Sequence, residues 1–161
     1  MIASAHLAAG IVIGLASDHV ARNKFTRISA AFVTGAVVHL LMDAVPHSDY
    51  DLFPVSTMWF VIAGEFLAVL VIAAIVLRNR LKPHSLQCIA AGLLGSVLPD
   101  AKFIAPFFLP ASSARLVEHY GNRLHAPFHA TANSAVLGMA TQLSCTILLL
   151  VVMAAFPRTR S

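Results

Sequence analysis

Long apolar runs separated by short polar connections are the dominant pattern in this chain. Five apolar segments are present, at residues 2–16, 28–45, 58–77, 86–98 and 127–156. The second, third and fifth have the length of about 20 residues that a membrane-spanning helix requires, whereas the first and fourth are shorter. The two short segments are expected to lie buried against the others or to end where a polar cavity begins. The pattern predicts an all-α integral membrane bundle of about five helices, three full spans and two shorter ones, in a single domain over residues 1–161.

The connection between the fourth and fifth segments has a pattern of its own. The stretch "FIAPFFLP" is too short and too interrupted by proline to span a membrane, so it is expected to be re-entrant or to lie in the membrane interface. The following stretch, "SSARLVEHYGNR", predicts a short amphipathic helix that starts near Ser112 or Ser113 and stops near Gly121.

Composition supports a membrane protein. The chain is 58% hydrophobic and only 11% charged, whereas soluble domains carry about 25% charged residues. The net charge of +4 does not indicate nucleic-acid binding, because the basic residues are few and confined to short connections. Such connections favour the cytoplasmic side, which predicts an N-terminus outside and a C-terminus inside, in a bacterial inner (plasma) membrane. The basic residues of these connections are Arg22, Lys24, Arg27, Arg78, Arg80, Lys82, Arg158 and Arg160.

Ionisable side chains interrupt the apolar segments at recurring positions. His39 and Asp43 are four residues apart and therefore share one face of the second helix. The same spacing recurs at His125 and His129, which are expected to enter the fifth helix from outside. Burying a carboxylate in hydrocarbon costs roughly 2.5–3.5 kcal/mol, and a shared cation would offset several such costs together. The sequence predicts a metal site at the outer third of the membrane, with the ligands His6, His39, Asp43, His47, Asp100, His125 and His129.

The donor types narrow the choice of metal. Imidazole and carboxylate without thiolate suit zinc first, with manganese or iron as alternatives, and argue against magnesium or calcium alone. The candidates outnumber the three or four protein ligands of one catalytic zinc. Either two or more ions bind, or some of these side chains orient ligands or act as a general base.

Three stretches resemble the motifs of a known family. "HLLMDAVPHSDYDLFP", "GSVLPD" and "HAPFHATANS" are similar to those of the membrane-bound metal-dependent hydrolases, distant relatives of zinc-dependent phospholipase C. The resemblance implies a membrane-embedded hydrolase. It implies metal ligands most directly at His39, Asp43, Asp100, His125 and His129, and less directly at His6 and His47.

Two functions of different classes follow, with a third that is purely structural. The first is a phosphoesterase that acts on a lipid headgroup or another interfacial substrate, with Glu65 or Asp49 as the base and Lys102, Arg115 or Arg123 pairing with phosphate. The second is a non-catalytic metal-binding or metal-transporting membrane protein. The apolar inner halves of the helices favour the first, because a transport pathway should continue across the membrane. In the third, a metal only holds short helices together. Membrane lipid is the expected partner in each case.

Overall fold

The computed structural model describes residues 3–20, 23–47, 55–78, 82–128, 130 and 134–156, and the elements in these ranges are all helical. The all-α prediction is therefore confirmed for the described residues. The helices are α1 (Ala3–Val20), α2 (Lys24–Asp43), α3 (Val55–Leu77), α4 (Pro83–Val97), α5 (Ala101–Phe108), α6 (Ala111–His125) and α7 (Ala135–Ala155). Two 3₁₀ turns, Leu98–Asp100 and Ala126–Phe128, follow α4 and α6.

Three helices in the described ranges are long and apolar enough to cross a membrane. They cover Lys24–Asp43 in α2, Thr57–Leu77 in α3 and Val136–Ala155 in α7. This confirms the prediction that the second, third and fifth segments have spanning length, and it fits a membrane protein. The two short apolar segments form α1, with 18 residues, and α4, with 15, and these two helices pack extensively against each other and against α2.

Glycines bring α1, α2 and α4 into backbone contact. A Cβ atom on Gly92 of α4 would overlap the carbonyl oxygen of Gly10 in α1, and one on Gly35 of α2 would lie 2.6 Å from the carbonyl oxygen of Gly92. Four residues after Gly10 on α1, a Cβ atom on Gly14 would lie 2.7 Å from the carbonyl oxygen of Cys88. Small residues that allow such approach are a common basis of helix association in membranes. We call α1, α2 and α4 the three-helix core.

The contacts also fix the helix directions. Gly10 meets Gly92 while Gly14 meets Cys88, so α1 and α4 run antiparallel. At the end of α1, Asp18 accepts hydrogen bonds from Arg27 near the start of α2 and from Ser85 near the start of α4. The start of α1 therefore lies with the ends of α2 and α4. This arrangement brings side chains near both ends of these helices into two separate polar clusters.

The fifth apolar segment differs from its predicted form. A helix was expected from residue 127, but α6 ends at His125, a 3₁₀ turn follows, and α7 begins at Ala135. Pro127 disfavours helical backbone at the residue before it, and the Ser134 side chain caps α7 by accepting from Leu137 N–H at 3.2 Å. His125 is thus the last residue of α6, and the prediction that it enters the fifth helix is wrong.

Most of the stretch "FIAPFFLP" lies in a short helix. Residues Ala101–Phe108 make up α5, with Pro106 inside it, and α6 packs against α5. Phe107 and Phe108 are exposed, and the Phe107 ring meets the Trp59 ring edge-on at 5.6 Å. The amphipathic helix predicted to start near Ser112 or Ser113 is present as α6, but the predicted stop near Gly121 is wrong, because α6 runs from Ala111 to His125. The re-entrant or interfacial placement of α5 stays a prediction.

Candidate metal centre

His6, His39 and Asp43 lie together where α1 meets α2. His6 stands near the start of α1, and His39 and Asp43 occupy the last two turns of α2. One ligand atom from each residue lies within 4.8 Å of the others, and all three residues are buried. We call these three residues the His–Asp group. It confirms that His6, predicted from the first segment, and the His39–Asp43 pair, predicted from the second, meet at one place.

Asp43 is the centre of this group. Its Oδ1 lies 3.2 Å from His6 Nε2, and its Oδ2 lies 3.0 Å from His39 Nε2. The imidazole rings of His6 and His39 are stacked, with their centroids 4.0 Å apart. Donors bound to a tetrahedral zinc at about 2.1 Å lie about 3.4 Å from one another. The nitrogen–oxygen separations in the His–Asp group are of that size.

The hydrogen bond on the far side of His39 determines which nitrogen faces the group. His39 Nδ1–H donates to the carbonyl oxygen of Ser96 at 2.7 Å. A neutral His39 therefore presents the lone pair of Nε2 to Asp43 Oδ2, and also to Asp100 Oδ1 at 3.7 Å. A lone pair facing two carboxylate oxygens is favourable only with a positive charge between them, which a metal ion or an added proton supplies.

Burial makes this requirement stronger. Relative exposure is 2% for His6 and 0% for both His39 and Asp43. Nδ1 of His6 is also buried and meets no hydrogen-bond partner among the described residues. An orphaned buried nitrogen of this kind is commonly satisfied by an unseen water or ion. Two imidazoles and one carboxylate form a donor set that suits zinc, iron or manganese, so the residues present fit a divalent transition metal.

Asp100 approaches the His–Asp group from the 3₁₀ turn that follows α4. It closes the 3₁₀ turn Leu98–Asp100, and its side chain is partly exposed, at 30%, unlike the fully buried Asp43. Its Oδ1 lies 3.7 Å from His39 Nε2, which makes Asp100 a candidate for a fourth ligand, although it is not one of the three residues whose ligand atoms all lie within 4.8 Å of one another. The prediction that Asp100 approaches the same level as His39 is consistent with this distance.

His47 lies close by in sequence but is held differently. Its side chain is fully buried, and Nδ1–H donates to the carbonyl oxygen of Val45 at 2.8 Å. Its backbone N–H donates to the carbonyl oxygen of Ala130 at 3.2 Å, and Ala130 N–H donates to that of Asp43 at 2.9 Å. These bonds tie Ala130 to the end of α2. The structure does not include His47 in the His–Asp group.

The other predicted residues fall into two sets. Asp49 and His129 lie outside the described residues, and only the backbone of His125 is described. Glu65 is half-buried on α3, Lys102 is half-buried on α5, and Arg115 and Arg123 are exposed on α6. The structure does not place Glu65 in the His–Asp group. Lys102 follows Asp100 by two residues. Its ammonium lies 4.8 Å from the Phe103 ring centroid.

Sequence reasoning missed two features of the polar network. The first is the Ser96 carbonyl that orients His39, since a backbone acceptor leaves no signal in residue type. The second is a cluster at the opposite end of the three-helix core, formed by Asp18, Arg27, His84 and Ser85. Ser85 Oγ donates to Asp18 Oδ2 at 2.6 Å, Arg27 Nη1 donates to Asp18 Oδ1 at 3.2 Å, and His84 Nε2 lies 3.4 Å from the same oxygen. A buried Asp beside a basic connection was the available signal for this Asp18 cluster.

Comparison with known proteins adds no relative to this picture. No protein-family model matches the chain, and neither does any curated protein or any solved structure.

Proposed function

We propose that this protein is a membrane-embedded, metal-dependent hydrolase that acts on phosphoesters at a membrane surface, such as lipid headgroups. The observation that carries the proposal is the buried His–Asp group, in which His39 Nδ1–H donates to Ser96 and Nε2 faces the carboxylate oxygens of Asp43 and Asp100. The motif resemblance of the sequence supports the same class of activity.

In this proposal, His6, His39 and Asp43 hold a divalent metal, with zinc as the first choice and manganese or iron as alternatives. When bound, such an ion supplies a Lewis acid for a phosphoryl oxygen and lowers the pKa of water. Asp100 is the fourth ligand, and His125 and His129 are candidates for further ligands or a second ion. Asp100 is partly exposed whereas Asp43 is not, so substrate approaches from the Asp100 side.

Three cationic side chains on α5 and α6 are suited to a phosphate group. Lys102 follows Asp100 by two residues, and its aliphatic stem packs against Gly121 of α6. Arg115 and Arg123 are exposed on the same helix. Guanidinium and ammonium groups bind phosphate oxygens through charge-assisted hydrogen bonds. Glu65 or Asp49 accepts the proton of the attacking water in this scheme.

Orientation in the membrane follows from charge. Lys24 and Arg27 lie at the start of α2, Arg78 follows α3, and Lys82 precedes α4. The start of α2 and the start of α4 meet the end of α1, at the opposite end of the core from the His–Asp group. Because cytoplasmic connections carry the excess of Lys and Arg, we place the centre at the outer face of a bacterial inner membrane, with the N-terminus outside.

The glycine contacts favour a closed site over a transport pathway. Between the His–Asp group and the Asp18 cluster, Gly10, Gly35 and Gly92 bring the three helices into backbone contact. A pathway along this interface would need polar, hydrated surface at the same depth. The tight packing there supports a hydrolase with one accessible face.

An activity assay tests this function. Purified protein in vesicles of phosphatidylethanolamine and phosphatidylglycerol, loaded with zinc or manganese, is expected to release water-soluble phosphoesters and to cleave bis(p-nitrophenyl) phosphate. Chelation should abolish both reactions. His39→Ala should lose at least about 100-fold in kcat/KM, while His119→Ala, which removes an exposed histidine on α6, should retain wild-type activity. Glu65→Gln should lower kcat and leave metal content unchanged if Glu65 is the base.

Two results would contradict the proposal. One is the absence of metal-dependent hydrolysis of either probe across zinc, manganese and iron. The other is flux of zinc into sealed vesicles that His39→Ala abolishes, which would establish transport instead.

A further inference from the structure

The 3₁₀ turn that joins α4 to α5 changes which backbone N–H groups can bond the carbonyl oxygens at the end of α4. Residues Leu98–Asp100 form a single 3₁₀ turn, and Ala101 N–H donates to the carbonyl oxygen of Leu98. In such a turn each backbone N–H donates to the carbonyl oxygen three residues earlier, so the Asp100 N–H is directed at the Val97 carbonyl oxygen. In an α-helix the same group would bond four residues back, at Ser96.

Pro99 removes the remaining local donor for Ser96. A 3₁₀ pattern would pair the Ser96 carbonyl with the N–H of residue 99, and proline has none. The α-helical donor is diverted as well, because Asp100 lies inside the 3₁₀ turn. The Ser96 carbonyl is thus left available for a partner outside its own helix. That partner is His39 Nδ1–H, at 2.7 Å.

Close packing of α2 on α4 allows His39 to reach this carbonyl. A Cβ atom on Gly95 would overlap the carbonyl oxygen of Phe32, and one on Gly35 would lie 3.0 Å from Ser96 N. Gly35 is one turn before His39 on α2. The His39 ring is therefore held directly against the end of α4, one turn before Asp100.

The same turn directs Asp100 to the other side of the ring. Asp100 Oδ1 lies 3.7 Å from His39 Nε2, while the Ser96 carbonyl binds Nδ1. Ser96 and Asp100, which lie on either side of Pro99, thus face the two imidazole nitrogens of His39. Hydrogen bonds to the outer nitrogen of a metal-binding histidine fix its tautomer, and their loss typically costs 10–100-fold in metal affinity.

We propose that Pro99 is a positioning residue for His39. Because proline has no N–H, the Ser96 carbonyl stays available to His39 Nδ1–H. Because Pro99 favours the 3₁₀ turn, Asp100 is directed toward Nε2 of the same ring. This rests on the proposed function, since it assigns Pro99 to the metal centre of that hydrolase.

Pro99→Ala tests the proposal. Alanine restores the N–H at residue 99, so α4 can continue as an α-helix and Asp100 N–H can take the Ser96 carbonyl. We expect zinc affinity, measured by competition with a chromophoric chelator in detergent, to fall about 10- to 100-fold. The side-chain ¹⁵N signals of His39, assigned by their loss in His39→Ala, should change from one Nδ1–H tautomer to a mixture. Thermal stability should stay the same or rise, because alanine favours helix.

Pro83→Ala is the matched control. Pro83 occupies the first turn of α4, where an N–H has no partner in the helix, so zinc affinity and His39 signals should match the wild type. Unchanged affinity and unchanged His39 signals in Pro99→Ala would overturn the inference while leaving the metal site intact. Retention of zinc by His39→Ala would instead overturn the proposed function. Should Pro99→Ala fail to fold, Pro99→Gly restores the same N–H and is judged by the same two measurements.

Discussion

Replacement of Asp43 by asparagine is expected to lower zinc affinity by at least about 100-fold, because loss of a metal ligand should cost no less than the 10- to 100-fold typical of losing only a ligand's hydrogen-bond partner. Asp43 contacts both histidines of the His–Asp group, His6 through Oδ1 and His39 through Oδ2. Asparagine keeps the shape of the side chain but removes the negative charge and one of the two acceptor oxygens. Zinc titration against a chromophoric chelator measures the change.

Asp18→Asn is the matched control for this prediction. Asp18 is also a buried carboxylate of the three-helix core, hydrogen bonded by Ser85 and Arg27 at the opposite end. Its replacement should lower thermal stability by weakening hydrogen bonds to a charged group, about 1.5–3 kcal/mol each, but should leave zinc affinity unchanged. Equal loss of zinc in the two variants would mean that Asp43 acts through folding alone.

Gly92→Ala is expected to destabilise the three-helix core. The added Cβ would overlap the carbonyl oxygen of Gly10 and lie 3.1 Å from Gly14 N, and neither backbone atom can move without separating α1 from α4. Overpacking of this kind costs about 1–3 kcal/mol. The unfolding temperature in detergent should fall accordingly.

Gly64→Ala provides a control of opposite sign. Gly64 lies inside α3, and nothing lies within 4 Å of the position its Cβ would take. Alanine is more favourable than glycine in a helix interior by about 0.8–1.0 kcal/mol, so this variant should be neutral or more stable. A Gly92→Ala variant as stable as Gly64→Ala would contradict the backbone contact between α1 and α4.

The sequence predicts those parts of the site that depend on local spacing. His39 and Asp43 are four residues apart on one helix, so their common face follows from helical periodicity alone. The spanning lengths of α2, α3 and α7 follow equally from their apolar runs. The meeting of His6 with this pair is predicted from the distance of each residue from the outer end of its helix. This distance is informative because neighbouring helices run antiparallel.

Other features depend on backbone events that residue type does not reveal. His125 and His129 have helical spacing, but Pro127 lies between them and α6 ends at His125. The Ser96 carbonyl became a partner of His39 only because two helices approach closely and a 3₁₀ turn diverts its usual donor. The Asp18 cluster joins residues from three helices, so its bonds follow from packing rather than from a motif.

Metal analysis of the wild-type protein tests the central claim most directly. Protein purified without chelators and reconstituted with zinc should contain at least one equivalent of metal per chain, with an anomalous-scattering peak between His6, His39 and Asp43. Substoichiometric metal under zinc, manganese and iron loading, or a peak away from these three residues, would contradict the account.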